Sequence, residues 1–406
     1  MSPQIHGEMG HLNKNSRHFA RRMEKTPKSF IREILKVTED PSIISFAGGL
    51  PNPALIDVGG ISLAAATVLG QDGSTALQYS TTEGYLPLRQ FIAERYQKRL
   101  GLSVSPDEIL ITNGSQQCLD LIGKVFIDKG DHIAIERPGY LGAIQAFSLY
   151  EPVFHPVNLD KDGLDPALLA QVLKSHPVKF FYGVLNSQNP SGITYTNGRR
   201  RELAPLFGDT STLFVEDDAY GELNFYKKTY SSMREFLPDQ TIITGSFSKI
   251  LAPGMRLGWL VAPPDIMEHL VIAKQASDLH SNYLSQRIAY QYLLQQNIDD
   301  HIRKICTVYK TQCQRMIDII REKFPGSVRY TVPEGGMFIW LTLPDGISST
   351  EVFDAALRVG VAVLPGTPFY TDGGGGNTIR LNFSNSTEEK IITGMERFSD
   401  VLRKLM

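Results

Sequence analysis

The stretch "TIITGSFSKILAPGMRLGW" (241–259) decides the reading of this chain. The run from Thr241 to Gly245 ends in Ser246-Phe247-Ser248, Lys249 follows at once, and Arg256 comes seven residues later. Such an apolar, β-branched run predicts a strand buried on both faces. A lysine at the tip of a buried strand needs a reason, because lysines ordinarily stay in water. Desolvation and a neighbouring cation both depress a lysine pKa and free its lone pair for attack on a carbonyl. A P-loop is excluded, since no glycine run with G-x-x-x-x-G-K-[ST] spacing leads into Lys249.

Working outward, residues 75–262 alternate short apolar runs with helical stretches. The strand candidates are "EILITNG", "HIAIERPGY", "KFFYGVLNSQNPSG", "TLFVEDDAYGE", "TIITGSFSK" and "LGWLVA", with helices such as "QQCLDLIGKVFIDKG" between them. This order predicts an α/β fold with a mostly parallel sheet flanked by helices. Residues 297–324 read as one long amphipathic helix. Beyond it, "VRYTVPEGGMFIWLTL", "GVAVLPGTPFY" and "TIRLNFS" predict a smaller α+β domain. The expected division is an N-terminal segment at 1–49, a large domain at 50–296 and a small domain at 297–406.

The chain has 406 residues, 42% hydrophobic and 21% charged, with a net charge of −2. That balance speaks against nucleic acid or an acidic membrane as the main partner. Cys118, Cys306 and Cys313 are odd in number and lack C-x-x-C spacing. No disulfide framework and no metal site are expected, and the reading is a cytoplasmic protein without a signal peptide or membrane span.

Ligand crevices of open α/β sheets lie at the carboxyl ends of the strands, so the polar tips should converge. In "TNGSQQ", Ser115 and its neighbours open a helix, either as an anion cradle or as a plain N-cap. Tyr140 in "ERPGY" offers an aromatic face that could stack on a planar ring or simply fill the core. Asn189 in "NSQNPSG" is held by a turn. Asp217 and Asp218 in "FVEDDAY" follow an apolar strand, which is costly unless one meets a positive partner, and Tyr220 can reach the same crevice. The set describes a site for a planar, phosphorylated, aldehyde-bearing heteroaromatic, and pyridoxal 5'-phosphate fits.

With "SFAGGLPNP", "QYSTTEGYLPLR", "TNGSQQ", "NPSG", "EDDAYGEL", "SFSKILAPGMRLGW" and "RLNFS" in this order, the chain resembles the fold type I pyridoxal-phosphate aminotransferases of class I/II across residues 27–400. It is most similar to the branch of 2-aminoadipate, kynurenine and broad-specificity enzymes. The resemblance implies that Lys249 carries the cofactor as an internal aldimine, with Ser115, Gln116, Ser246, Ser248 and Arg256 on the phosphate. It implies Asp217 at the pyridine nitrogen, Tyr220 and Asn189 at the ring oxygen, and Tyr140 on the ring face. Arg380 would take the substrate α-carboxylate beside Gly49, and Tyr79 would reach the phosphate of a neighbouring subunit in a homodimer. "NPSG" stands where the family more often has "NPTG". The segment "PKSFIREILKV" (27–37) reads as a short amphipathic helix. There the resemblance points Arg32 at a distal substrate carboxylate, while the plain reading pairs it with Glu33. The amino acceptor implied is 2-oxoglutarate.

Fold does not fix reaction, so another pyridoxal-phosphate reaction, such as β-elimination, decarboxylation or acyl transfer, stays open at this point. A cofactor-binding regulator and a non-catalytic binding protein are weaker alternatives. No basic stripe supports the first, and the complete Lys–Asp–Arg set opposes the second. Residues 1–26 and the glycine run 373–376 carry no inference.

Overall fold

The computed structural model describes residues 19–25 and 40–406. Its largest sheet has eight strands in the order β2-β9-β8-β7-β6-β3-β4-β5. These are β2 (Ile109–Thr112), β3 (His132–Arg137), β4 (Val153–Asp160), β5 (Gly163–Leu164), β6 (Val178–Gly183), β7 (Leu213–Asp217), β8 (Thr241–Ser246) and β9 (Gly258–Val261). Strands β4, β3, β6, β7 and β8 run parallel, and β9 is antiparallel to both β8 and β2. Every residue of β2, β8 and β9 is buried, as runs covered by helices on both faces must be. Ile243 is 1% exposed in the middle of β8, and trimming it to alanine should cost about 2–5 kcal/mol.

The carboxyl ends of the parallel strands and the start of β9 share one edge of this sheet. Helix Ser115–Phe126 begins there, three residues after β2. It buries Cys118, Leu119, Leu121 and Ile122 at helical spacing, which fixes its N-terminus at the crevice. Helix Ile298–Lys323 matches the long helix expected at 297–324. Asn297 caps it by accepting from the N–H groups of Asp299 and Asp300, and acidic residues at its start and basic ones at its end complement the dipole.

The C-terminal part forms an antiparallel sheet, β10-β11-β14-β13, from Arg329–Tyr330, Phe338–Thr342, Thr378–Asn382 and Leu364–Pro365. Arg380 lies in the middle of β14, opposite Trp340 on one side and Leu364 on the other. Strand β1 (Ile44–Ser45) pairs in parallel with β12 (Val361–Ala362), which ties the segment before residue 50 to this part of the chain. Among the elements that escaped the sequence reading, two have a plain physical reason. Strand β4 has an irregular burial pattern and contains His155 and Pro156. Helix Val58–Ala76 carries Gly59, Gly60, Gly70 and Gly73, a poor helical composition, and kinks at Asp72.

Candidate active site

The strand tips enclose a cavity of about 330 Å³. Ser115, Gln116, Tyr140, Asp217, Tyr220, Ser246, Ser248, Lys249 and Arg256 line it, together with Val184 and Ala219. The converging tips are thus the ones that the sequence singled out. Gly114, not Ser115, occupies the N-cap of helix Ser115–Phe126, so the plain capping reading of Ser115 is corrected. Gly114 has φ +77°, and a Cβ there would stand 2.8 Å from Arg256 Nη2. Glycine serves both the turn and the close approach of the guanidinium. The N–H groups of the first turn of this helix have no partner within it and suit an anion.

Lys249 is partly buried, and its Nζ donates to the carbonyl of Gly49 at 3.2 Å. Burial first, then the charges of Arg380 and Arg256, lower its pKa to about 8, while Asp217 opposes them. This amine therefore loses its proton far more readily than an exposed lysine. Arg256 is exposed at the cavity, with φ +53°, a backbone conformation rare outside glycine. Its guanidinium donates to the carbonyls of Pro253 and Asn113, both at 3.3 Å. Among the described residues no carboxylate pairs with it. Ser246 and Ser248 are buried, and Ser246 Oγ accepts from the Ser248 N–H at 3.1 Å.

Asp217 is 2% exposed. Its Oδ2 accepts from the Tyr182 hydroxyl at 2.7 Å, whereas Oδ1 is buried with no hydrogen-bond partner among the described residues. Burial raises its pKa above the usual carboxylate range, against the pull of the Tyr182 hydrogen bond. Asp218 faces elsewhere, accepting from Asn186 Nδ2 at 2.6 Å and lining a different cavity. The alternation of a strand accounts for the split between the neighbours.

A polar chain leads from the cavity to β14. The amide of Asn189 donates to the Tyr220 hydroxyl at 3.4 Å, and its Oδ1 accepts from Arg380 Nη1 at 2.8 Å. Arg380 Nη2 donates to the Ala47 carbonyl at 2.7 Å, and Nε is buried without a partner. The guanidinium carbon lies 4.2 Å from the centre of the Phe338 ring. Burial lowers the Arg380 pKa to about 10. A Cβ on Gly49 would come 3.3 Å from Phe338 and 3.9 Å from Arg380 Nη2, so Gly49 borders this arginine directly.

Tyr79 is 78% exposed, touches His280 edge-on and lies away from the cavity of its own chain. Arg32 and the helix expected over 27–37 fall outside the described residues. Sequence reasoning missed Tyr182 and Phe338. Each sits within an apolar run, "KFFYGV" and "GMFIW", where an aromatic residue carries no sign of a polar or stacking duty.

The residues suit pyridoxal phosphate: an orphaned buried carboxylate oxygen for a ring N–H, a poised amine for the aldehyde, and a helix start with an arginine for the phosphate. Comparison with known proteins agrees. The family model described as aminotransferase class I and II matches residues 61–398. A 2-aminoadipate transaminase from Thermus thermophilus is 41% identical over 395 residues, covering 96% of this chain and 98% of its own. Aromatic-amino-acid aminotransferase 1 from Thermococcus litoralis is 40% identical over 396 residues, 96% of this chain and 95% of its own. The crystal structure of the Thermus thermophilus α-aminoadipate aminotransferase, complexed with N-(5'-phosphopyridoxyl)-L-leucine, is similar with a TM-score of 0.90 and 41% identity, covering 96% of this chain and 98% of that one.

Proposed function

The chain belongs to the class I and II aminotransferases, and from that premise we propose that this pyridoxal-phosphate-dependent enzyme has broad donor specificity. It would move the α-amino group of 2-aminoadipate, glutamate, and aromatic or aliphatic amino acids to a 2-oxo acid such as 2-oxoglutarate. The names of its relatives span 2-aminoadipate and aromatic substrates, which supports a broad donor set. The observation that carries the residue assignment is Asp217 Oδ1, buried and unpartnered beside a cavity that also holds Lys249 and Arg256.

When bound, pyridoxal phosphate supplies a ring that takes up the electron pair left as the substrate Cα–H breaks. Asp217 is assigned to hold the proton on the ring nitrogen, a role that would satisfy Oδ1 and offset the cost of burying the carboxylate. Arg256, Ser115, Gln116, Ser246 and Ser248 are assigned to the phosphate, Tyr140 to the ring face, and Tyr220 with Asn189 to the ring oxygen. Lys249 would hold the cofactor covalently, and as a free amine it would take up and return the proton at the substrate Cα. Arg380 offers a rigid fork to the α-carboxylate, and its stacking on Phe338 holds that fork in place. Gly49 keeps the space beside it clear.

The same reading extends to a homodimer with shared sites. Leu63 and Leu69 on helix Val58–Ala76, with Leu77, Tyr79 and Leu279, are exposed apolar groups that a second copy would cover. Mixing Tyr79→Ala with Lys249→Ala chains should restore activity, because one hybrid site escapes both lesions. If subunits exchange and no activity returns, Tyr79 does not serve the neighbour. The eight-stranded sheet supports residues 50–296 as the cofactor-binding domain, and the four-stranded sheet supports 297–406 as the smaller one. The pairing of β1 with β12 groups segment 1–49 with the latter. Limited proteolysis that cuts first inside either range would refute this division. Among the described residues no helix is long and apolar enough to cross a membrane. Three free cysteines suit a reducing cytoplasm. A cell fraction that finds the protein outside the cytoplasm would overturn that placement.

The test of function is a panel of amino donors against 2-oxoglutarate, following both the cofactor spectrum and the keto acid formed. 2-Aminoadipate, leucine and phenylalanine should each yield their keto acid. Glutamate, whose keto acid is 2-oxoglutarate itself, should be followed through the cofactor spectrum in the half-reaction without acceptor. Arg32→Ala should lower kcat/KM for the two dicarboxylic donors by about one to two decades and spare the others. An equal loss for all four donors would remove Arg32 from the substrate site. Formation of an elimination or decarboxylation product in place of keto acids would overturn the transamination reading.

A further inference from the structure

At the amino-terminal edge of the large sheet, away from the active site, three adjacent strands bring histidines together. His132 opens β3, His155 is the third residue of β4, and His176 lies two residues before β6. The pairing Ala134↔His155 and the pairing His132↔Val178 put all three on one face of the order β6-β3-β4. His132 Nδ1 and His155 Nε2 are 2.7 Å apart, in rings inclined by 13°. The rings of His155 and His176 stack with centroids 4.1 Å apart. One ligand atom from each of the three lies within 4.8 Å of the others, and all three side chains are partly buried.

We propose that His132, His155 and His176 form a binding site for a divalent transition ion of the zinc, nickel and copper class. Imidazole suits these ions, and three histidines with an open fourth position for water make a familiar donor set. Tetrahedral zinc holds its nitrogens at about 2.0–2.1 Å, which places them roughly 3.3 Å from one another. One pair stands at 2.7 Å and all three atoms lie within 4.8 Å, so binding requires the stacked rings to rotate until their nitrogens converge, while the paired strands hold the backbone. Metal ligation needs neutral imidazole. Burial, followed by the charges of His176 and His132, lowers the pKa of His155 and favours that form. Nothing in the sequence marks this site. The histidines stand 23 and 21 residues apart, and the absence of a C-x-x-C pair argues against cysteine ligation alone.

The ion would clip the starts of β4, β3 and β6. Five residue steps along β3, from His132 to Arg137, separate it from the tip that leads to Tyr140, a distance of about 17 Å at 3.3 Å per residue. It should therefore act on stability and leave turnover unchanged. The test uses tag-free, chelator-treated holoenzyme titrated with Co²⁺ and then displaced with Zn²⁺. The expected result is one Co²⁺ per chain with the visible absorption of low-coordinate cobalt, and a higher unfolding temperature with Zn²⁺. His155→Gln and His176→Gln should each weaken binding at least tenfold at unchanged turnover, which also certifies their folding. The triple variant His6→Gln, His11→Gln, His18→Gln should bind as the parent does. Absence of stoichiometric binding, survival of binding in both triad variants, or its loss in the triple variant would overturn the proposal.

Discussion

Two cavities lie on either side of the tip of β7, and the adjacent residues Asp217 and Asp218 face one each. The cavity beside Asp218 is the larger, about 700 Å³ against about 330 Å³. Several of its charges are paired, although among the described residues the Asp218 carboxylate meets only the Asn186 amide. Arg95 pairs with Glu222 and Asp299, Arg99 with Glu222, and Lys228 with Glu334. The smaller cavity is the reverse. Lys249 has a carbonyl for a partner, Arg256 has two carbonyls at long range, and Asp217 keeps one oxygen unpartnered. Unmatched buried charge is costly, and it persists where a ligand supplies the missing partner. Volume is a poor guide to chemistry here, and electrostatic incompleteness is a good one.

The contrast breaks most sharply through the two aspartates. Asp217→Asn should still bind cofactor yet slow the amino-transfer half-reaction by about three decades, since a neutral amide cannot hold the ring proton by charge; the span rests on the 10²–10⁴ range for a positioned proton-handling group. Asp218→Asn should stay within about fivefold of the parent, because Asp218 bonds Asn186 and faces the other cavity. Rapid-mixing kinetics on both variants decide the matter, and reversed magnitudes would move the catalytic role to Asp218.

A second pair of variants separates stability from cofactor affinity. Among the described residues, Glu222→Gln leaves Arg95 with Asp299 alone and Arg99 without a paired carboxylate, and should cost about 1–3 kcal/mol in denaturant unfolding. Arg256→Met should leave the apoenzyme as stable as the parent and weaken cofactor binding by about one to two decades, the worth of a charge-assisted hydrogen bond of ~1.5–3 kcal/mol. A destabilised Arg256→Met apoenzyme would show that this arginine has a structural partner after all.

The pH dependence gives a smaller effect. The free Lys249 amine has its pKa lowered from 10.5 to about 8, so the reactive, unprotonated form grows as pH rises through 8. About one amine in ten is unprotonated at pH 7 and about nine in ten at pH 9. The half-reaction should therefore gain roughly tenfold across that interval and level off above it. A rate that keeps climbing tenfold per pH unit beyond 9 would mean an ordinary lysine.

The sequence exposed much of this site for a physical reason. Asp217 and Arg380 are charges set in apolar strands and Lys249 follows one at its tip, and each breaks a pattern that the surrounding residues establish. Tyr182 breaks no pattern, so its hydrogen bond to Asp217 emerges only from the packing of β6 against β7. The choice of Asp217 over Asp218 came from the family resemblance alone, because neighbours at a strand end face opposite sides and the local pattern does not say which side holds the cavity. The large sheet was legible in its fully buried strands. It was illegible in β4, where partial burial mixes polar and apolar residues without a clean period. The histidine cluster depends on strand order, which no local spacing encodes.

The central claim is that the smaller, electrostatically incomplete cavity holds the cofactor, covalently on Lys249. Borohydride reduction of the holoenzyme, followed by proteolysis and mass spectrometry of the labelled peptide, tests it directly. The account predicts a single phosphopyridoxyl label, on the lysine of "SFSK", and none in Lys249→Ala. A label on Lys227, Lys228 or Lys310, which line the larger cavity, would contradict it.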